Sequence, residues 1–263
     1  MDANGLVTVE TAKAKGLAFE EPERIACPHC GMALDALGAP LAGRVVWVAH
    51  AECDCDGAAS ERKERKRAEA DRSAKTARKE DLDRYLRSGA PRRYYGAQVD
   101  IEAVFQYIRS FQGSKGAGLY IQGSVGRGKT YAASAIAHEF LRSGYNVVFA
   151  TSKGMLEAVK ATFDGGGTAK DAIARYAKCD LLVLDDLGKE DATEWSVGTV
   201  FSVLNTRYED MRPTIVTSNY RLDELARRVG RRGESVTAAA IASRIAQTCT
   251  AVTLGGPDRR TVP

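Results

Sequence analysis

The 263-residue chain lacks any uninterrupted apolar run approaching the roughly 18 residues of a membrane span, so no membrane partner is expected. Its N-terminus, MDANGLVTVETAKAKG, lacks the basic-then-apolar order of a secretory signal, and a soluble, cytoplasmic protein is expected. Internal repeats and long low-complexity tracts are missing as well. What is present is the composition of a folded chain. Hydrophobic residues make up 44% and charged residues 27%, enough to build one α/β domain plus something small. The net charge of +4 is unevenly spread. Residues 1–59 carry 4 Lys/Arg against 9 Asp/Glu, residues 60–93 carry 13 against 7, and residues 94–263 carry 21 against 18. An acidic head, a basic joint and a near-neutral body point to three segments: an N-terminal module over 1–59, a charged helical linker over 60–90 and a large domain over 91–263.

Four of the six cysteines, Cys27, Cys30, Cys53 and Cys55, lie in the head. In a cytoplasmic chain such clustering favours metal ligation over disulfides, whereas Cys179 and Cys249 read as small buried hydrophobes. Cys27-Pro28-His29-Cys30-Gly31 is a knuckle, two thiols on a turn that Gly31 permits, and Cys53-Asp54-Cys55 supplies a second pair across a short hairpin. Tetrahedral Zn²⁺ takes four N/S ligands, so zinc is expected to stabilise a segment poor in large apolar residues. The C-x-C pair is tighter than usual, which leaves His50 with Cys53 as an alternative to Cys55. Residues 1–24 read as a polar lead without periodicity, and Arg44–Val48 as a strand. From Ser60 to Arg87 there is no Pro or Gly and no apolar face, the pattern of a solvated helix, ended by Ser88-Gly89-Ala90-Pro91. The same run could instead offer its basic side chains to nucleic-acid phosphate or an acidic partner.

The body alternates strands and helices. Leu119–Ile121, Asn146–Ala150, Leu181–Leu184, Thr214–Thr217 and Ala251–Leu254 read as strands; Thr130–Arg142, Ser152–Phe163, Thr168–Lys178, Trp195–Tyr208 and Ala238–Gln247 read as helices. That order implies an α/β fold with a parallel sheet and helices on both faces. Between the first strand and helix stands Gly123-Ser124-Val125-Gly126-Arg127-Gly128-Lys129-Thr130, a full match to G-x-x-x-x-G-K-[ST]. Its glycines let backbone N–H groups wrap a polyphosphate, Lys129 reaches the outer phosphates, and the Thr130 hydroxyl takes Mg²⁺, with Tyr131 next along the helix. ATP and Mg²⁺ are therefore expected. Leu181-Leu182-Val183-Leu184 runs into Asp185-Asp186: Asp185 is placed to hold Mg²⁺ and Asp186 to orient and deprotonate the attacking water. Asn219, at a third strand end, is placed to hydrogen-bond that water or the γ-phosphate.

GSVGRGKT, LLVLDDLG and PTIVTSNY in this order resemble the AAA+ ATPases, and within them the DnaC/DnaI-type helicase loaders, with IstB-type transposition ATPases as close relatives. The resemblance covers about residues 90–254. It implies an AAA+ (RecA-like) P-loop NTPase with Asp185-Asp186 as Walker B and Asn219, with Ser218, as sensor 1. Pro91–Gly96 resembles the stretch that lines the adenine pocket. Ala242-Ser243-Arg244-Ile245 sits where these families place an arginine finger for the neighbouring subunit, and Arg207 is a second candidate for that role. The resemblance further implies ATP hydrolysis, expected to be slow here because Asp186 is shorter than the common Glu, and a homo-oligomer formed on ATP or DNA. It also implies a grip on single-stranded DNA near Thr151-Ser152-Lys153 and an N-terminal zinc module that binds a hexameric replicative helicase. An IstB-type regulator of a transposase on DNA is the alternative. Three departures stand out. Asp186 replaces a common Glu, Gln247 stands where many loaders have a second Arg, and the 44 residues after Asn219 are too few for a helical lid with its sensor 2 arginine.

Overall fold

A computed structural model of the chain describes residues 5–111, 115–165, 167–232 and 235–259. The chain divides into two compact units, Met1–Arg78 and Lys79–Pro263. Among the described residues, no helix is long and apolar enough to cross a membrane.

In the first unit, Val7–Thr8 (β1) leads directly into Val9–Ala14 (α1), capped by the Thr8 hydroxyl, which accepts from the Thr11 N–H at 3.3 Å. Ile25–Ala26 (β2) and Ala33–Leu34 (β3) form a short hairpin, while Ala36–Leu41 (β4) pairs with Arg44–His50 (β5) and with β1, all antiparallel. Val7, Ala12 and Val45 make a small core, supported by Leu17, Phe19 and Trp47. The polar lead expected over residues 1–24 is therefore corrected. Two short elements there bury only Val7 and Ala12, too few apolar positions to register as periodicity. Asp56–Arg87 (α2) begins four residues before the expected start, and every side chain from 63 to 80 is exposed.

The boundary between the units falls inside α2. Its final turns belong to the second unit, where Tyr85 is fully buried. Glu102–Arg109 (α3) follows, then Gly118–Gln122 (β6), Lys129–Arg142 (α4), Val147–Thr151 (β7), Ser152–Lys160 (α5), Ala169–Lys178 (α6) and Leu181–Leu187 (β8). Glu194–Glu209 (α7), Thr214–Ser218 (β9), Leu222–Val229 (α8), Ser235–Thr248 (α9) and Cys249–Thr253 (β10) complete it. The five strands form one parallel sheet in the order β10-β6-β9-β8-β7. Alternate side chains go to opposite faces. Leu119, Ile121, Phe149, Leu181, Val183 and Ile215 pack with α3 and α4, whereas Tyr120, Leu182, Leu184 and Val216 pack with α5 to α9. Burying a residue such as Leu182 stabilises by about 1.5–3 kcal/mol, so an unbroken run of four marks a strand covered on both sides. The α/β class with helices on both faces is borne out. Helix α3, which buries only Val104 and Tyr107, was not anticipated.

Arg207 on α7 is 1% exposed. Its Nη1 donates to the carbonyls of Tyr176 (3.0 Å), Ala177 (3.1 Å) and Cys179 (2.9 Å), its Nη2 to Pro213, and its Nε to Thr214 Oγ1 at 2.9 Å. It thus satisfies carbonyls at the C-terminus of α6, a use that suits a cation there. This corrects Arg207 as a candidate inter-subunit finger: its guanidinium is spent inside its own fold. Arg207→Met should lower unfolding stability by roughly 3–5 kcal/mol, because several buried carbonyls lose their donor at once; denaturant titration of the two proteins measures this.

Candidate functional site

The glycine loop between β6 and α4 has Gly126 at φ 82° and Gly128 at φ 85°, left-handed backbone that turns amides inward and that a side chain would strain. Lys129 opens α4 and is 6% exposed; its Nζ donates to the carbonyls of Gly123 and Ser124, both at 2.8 Å. One turn of contact further in, the Thr130 hydroxyl donates to both oxygens of Asp185 at 3.1 Å. The P-loop and the β8 tip therefore do meet at one place.

Asp185 is 3% exposed and is held from a third strand too: Thr217 Oγ1 donates to Asp185 Oδ1 at 2.6 Å while accepting the Asp186 N–H at 2.9 Å. The register of β8 against β9 slips between Leu184 and Leu187, and Asp186 lies at φ 60°. This irregularity aims the two carboxylates to different sides. Burial pushes the Asp185 carboxyl above its ordinary range, a shift opposed by the Thr217 hydroxyl and reinforced by the neighbouring Asp186. Asp186 pairs with Lys189 Nζ at 2.7 Å. Ser218 is fully buried and donates to the Leu187 carbonyl at 2.7 Å, so it braces the strand end, whereas Asn219 faces the cleft. Thr217 was missed by sequence reasoning. The one available signal was a hydroxyl residue interrupting the apolar run of β9.

A cleft of about 520 Å³ opens over these groups, with Val125, Gly126, Gly128, Lys129, Thr130 and Tyr131 on one wall and Asp186, Lys189 and Asn219 on another. Arg93 and Tyr94 of the Pro91–Gly96 stretch also line it; Tyr94 packs edge-on to Tyr131 with ring centroids 5.9 Å apart. Tyr95 turns away, donating to Asp81 at 2.9 Å. Arg127 does not line the cleft, and neither do Gly123 and Ser124, whose carbonyls hold Lys129 instead. Arg244 lies elsewhere, its guanidinium 4.2 Å from the Tyr208 ring centroid and its Nε 3.0 Å from Asn205 Oδ1.

The hydroxyl and carboxylate oxygens of Thr130 and Asp185 fit a hard cation: their 3.1 Å spacing is close to the roughly 3 Å between neighbouring oxygens around Mg²⁺. In the first unit, Cys27, Cys30, Cys53 and Cys55 bring their sulfurs within 4.8 Å of one another. Two of the pairs, Cys30–Cys53 at 3.5 Å and Cys27–Cys55 at 3.7 Å, match the roughly 3.8 Å edge of a tetrahedral Zn–S₄ site. The Gly31 N–H donates to the Cys27 carbonyl at 2.9 Å, closing the knuckle. Amides of Cys30 and His29 pull the Cys27 thiol down to about 6. The Cys55 amide pulls Cys53 down as well, but contact with the Cys30 sulfur and burial outweigh it and push Cys53 up to about 12. Four crowded sulfurs thus resist full ionisation unless a cation joins them. His50 bonds the Glu23 carbonyl at 2.9 Å and lies outside the cluster, while Cys55 is within it.

With the geometry in place, the comparisons with known proteins decide the family. The IstB-like ATP binding protein family matches residues 54–261. The chain belongs to this family. Among curated relatives of this IstB-like chain, the replicative helicase loader DnaI of Bacillus subtilis (strain 168) is 32% identical over 178 residues, 62% of this chain and 57% of DnaI. The replicative helicase loader DnaC of Escherichia coli (strain K12) is 29% identical over 128 residues, 48% of this chain and 52% of DnaC. The chain spans little more than half the length of these relatives. A crystal structure of DnaI superposes with a TM-score of 0.56 at 26% identity, covering 63% of this chain and 94% of that one. The IstB-like chain therefore has the P-loop AAA+ fold.

Two outcomes follow. Because the folded state favours the neutral Asp185 carboxyl, ionisation costs stability as pH rises through the raised pKa. Asp185→Asn should therefore make the nucleotide-free protein more stable near pH 7, with the difference vanishing below about pH 4, where both states are protonated; thermal melts across that range test the sign. Purified protein should carry one zinc per chain by metal analysis. Cys30→Ser should lose it and make Met1–Arg78 protease-sensitive while leaving ATP binding within about twofold.

Proposed function

We propose that this IstB-like protein is an ATP-dependent loader of a replicative helicase. The reading is supported above all by Lys129, Thr130, Asp186 and Asn219 lining a single cleft, with the buried Asp185 hydrogen-bonded to Thr130 behind it, in a chain similar to DnaC and DnaI. Loop amides from Gly126 to Tyr131 and the positive end of α4 bind the polyphosphate of ATP, and Lys129 leaves the Gly123 and Ser124 carbonyls for the outer phosphates. Thr130 and Asp185 would hold Mg²⁺, which would supply positive charge to neutralise the polyphosphate. Thr217 keeps the Asp185 carboxylate oriented. Asp186 takes a proton from a water whose oxygen attacks the γ-phosphorus, the β–γ bridging oxygen departs with ADP, and Asn219 positions that water. Lys189 competes for the Asp186 carboxylate, and Asp reaches less far than Glu; both favour slow turnover. Tyr94 and Tyr131 wall the base.

Arg244 acts on a neighbouring subunit's nucleotide. Its place away from the cleft of its own chain suits a role that requires an assembly. That assembly grips single-stranded DNA through the segment opening α5, at Thr151-Ser152-Lys153, and the Cys27/Cys30/Cys53/Cys55 zinc module binds the hexameric helicase. The linker is the solvent-exposed stretch of α2 from 63 to 80, within the expected 60–90, since Tyr85 and Ala90 are already buried in the core of the ATPase unit. The family match favours a second reading, an ATPase that regulates a transposase on DNA. Lys129→Ala should abolish ATP binding. Asp186→Asn should retain it but lower turnover by about 10²–10⁴-fold. ATP-dependent capture of a hexameric helicase, and not of a transposase, supports the first reading; the reverse result refutes it.

A further inference from the structure

The turn that follows the tip of β8 is pinned from three neighbouring segments. From β9, Thr217 Oγ1 accepts the Asp186 N–H at 2.9 Å, and from the start of α5, Ser152 Oγ donates to the Asp186 carbonyl at 3.2 Å. From α8, Arg228 Nε donates to the Gly188 carbonyl at 2.6 Å. Within the turn, Glu190 Oε2 accepts the Gly188 N–H at 3.0 Å. Asp186 at φ 60° and Gly188 at φ 95° make the turn tight, and the Lys189 N–H closes it by donating to the Asp186 carbonyl at 3.3 Å. Lys189 is thereby folded back over Asp186, its ammonium 2.7 Å from Asp186 Oδ2. Both side chains line the nucleotide cleft together with Lys129, Thr130 and Asn219. The backbone here has little room to move, whereas the flexible four-carbon stem of Lys189 is 46% exposed and does.

We propose that Lys189 reads the terminal phosphate of the nucleotide: in the empty cleft it occupies the Asp186 carboxylate, and a nucleoside triphosphate draws its ammonium onto the γ-phosphate and frees Asp186. This rests on the ATP-site reading above and adds to it the means by which a triphosphate is told from a diphosphate. Asp186 takes the proton of the attacking water, so the γ-phosphorus lies beside it and within reach of Lys189. ADP ends one phosphate short of that point. The Lys189 and Asp186 side chains are 46% and 30% exposed, so water reaches their pair and weakens it. A γ-phosphate carries more charge than one carboxylate and offers three oxygens to the ammonium protons, which makes it the stronger acceptor. The exchange needs a change of side-chain rotamer and none of the backbone, so little order is lost. The competition that slows turnover is thus relieved by the substrate itself.

Equilibrium binding of ADP and of the non-hydrolysable imido analogue of ATP to the full-length chain tests this, with the wild type, Lys189→Ala, Lys189→Arg, Asp186→Asn and Lys129→Ala compared. Lys189→Ala should bind the triphosphate about 10-fold more weakly while binding ADP within about twofold of the wild type. Lys189→Arg should recover most of the triphosphate affinity. Asp186→Asn, which releases the ammonium beforehand, should bind the triphosphate as tightly as the wild type or more tightly. Unchanged triphosphate affinity in Lys189→Ala overturns the proposal. An equal loss for ADP overturns it too, since Lys189 would then merely hold the turn in shape. If Lys129→Ala loses both nucleotides while Lys189→Ala keeps the wild-type preference, the Lys189 assignment alone fails. If the wild type binds neither nucleotide, the site reading and this inference fall together.

Discussion

The second unit depends on one buried carboxylate. Asp185 receives a hydroxyl from Thr130 on the helix that follows β6 and another from Thr217 on β9, while itself ending the apolar part of β8. Three segments distant in the chain are thereby fixed to within hydrogen-bond distance. Desolvating that carboxyl is unfavourable, and two hydroxyl donors offset part of the cost. On the proposed function a cation held at Asp185 would offset that cost, so the local instability is what a cation site requires of its ligand.

How far the amino-acid sequence reveals this arrangement differs along the chain. Strand β6, the glycine loop and α4 were readable because apolar periodicity and loop chemistry point the same way over one contiguous stretch. Strand β8 was readable for the same reason: four consecutive apolar residues admit few places other than a covered parallel strand. Ser218 and Asn219 were separable only in three dimensions, since Ser218 ends β9 and bonds the Leu187 carbonyl whereas Asn219 lies just past the strand and lines the cleft. Arg207 shows the opposite difficulty. One arginine on a helix carries no sequence mark that distinguishes a solvated or inter-subunit side chain from one whose guanidinium is bonded to buried carbonyls and a hydroxyl of its own fold.

The first unit combines two modest sources of order. Val7, Ala12 and Val45 form too small a core to hold about 50 ordered residues by hydrophobic burial alone. Four cysteines gathered on two turns supply the second source once a cation joins them. The cysteine spacing was plain in the sequence, and the small core was not. His50, open as a ligand on spacing alone, is turned by the Glu23 carbonyl toward a bracing role.

The long helix α2 has a different kind of freedom. From residue 63 to 80 its side chains all face solvent, so its helicity rests on intrinsic propensity, helped by the i,i+4 spacing of acidic and basic residues in the sequence. Burial exerts no selection on the identity or the number of those residues. Evolution can therefore lengthen, shorten or recharge this stretch by whole turns while the flanking folds stay as they are, making it the natural place for related chains to diverge.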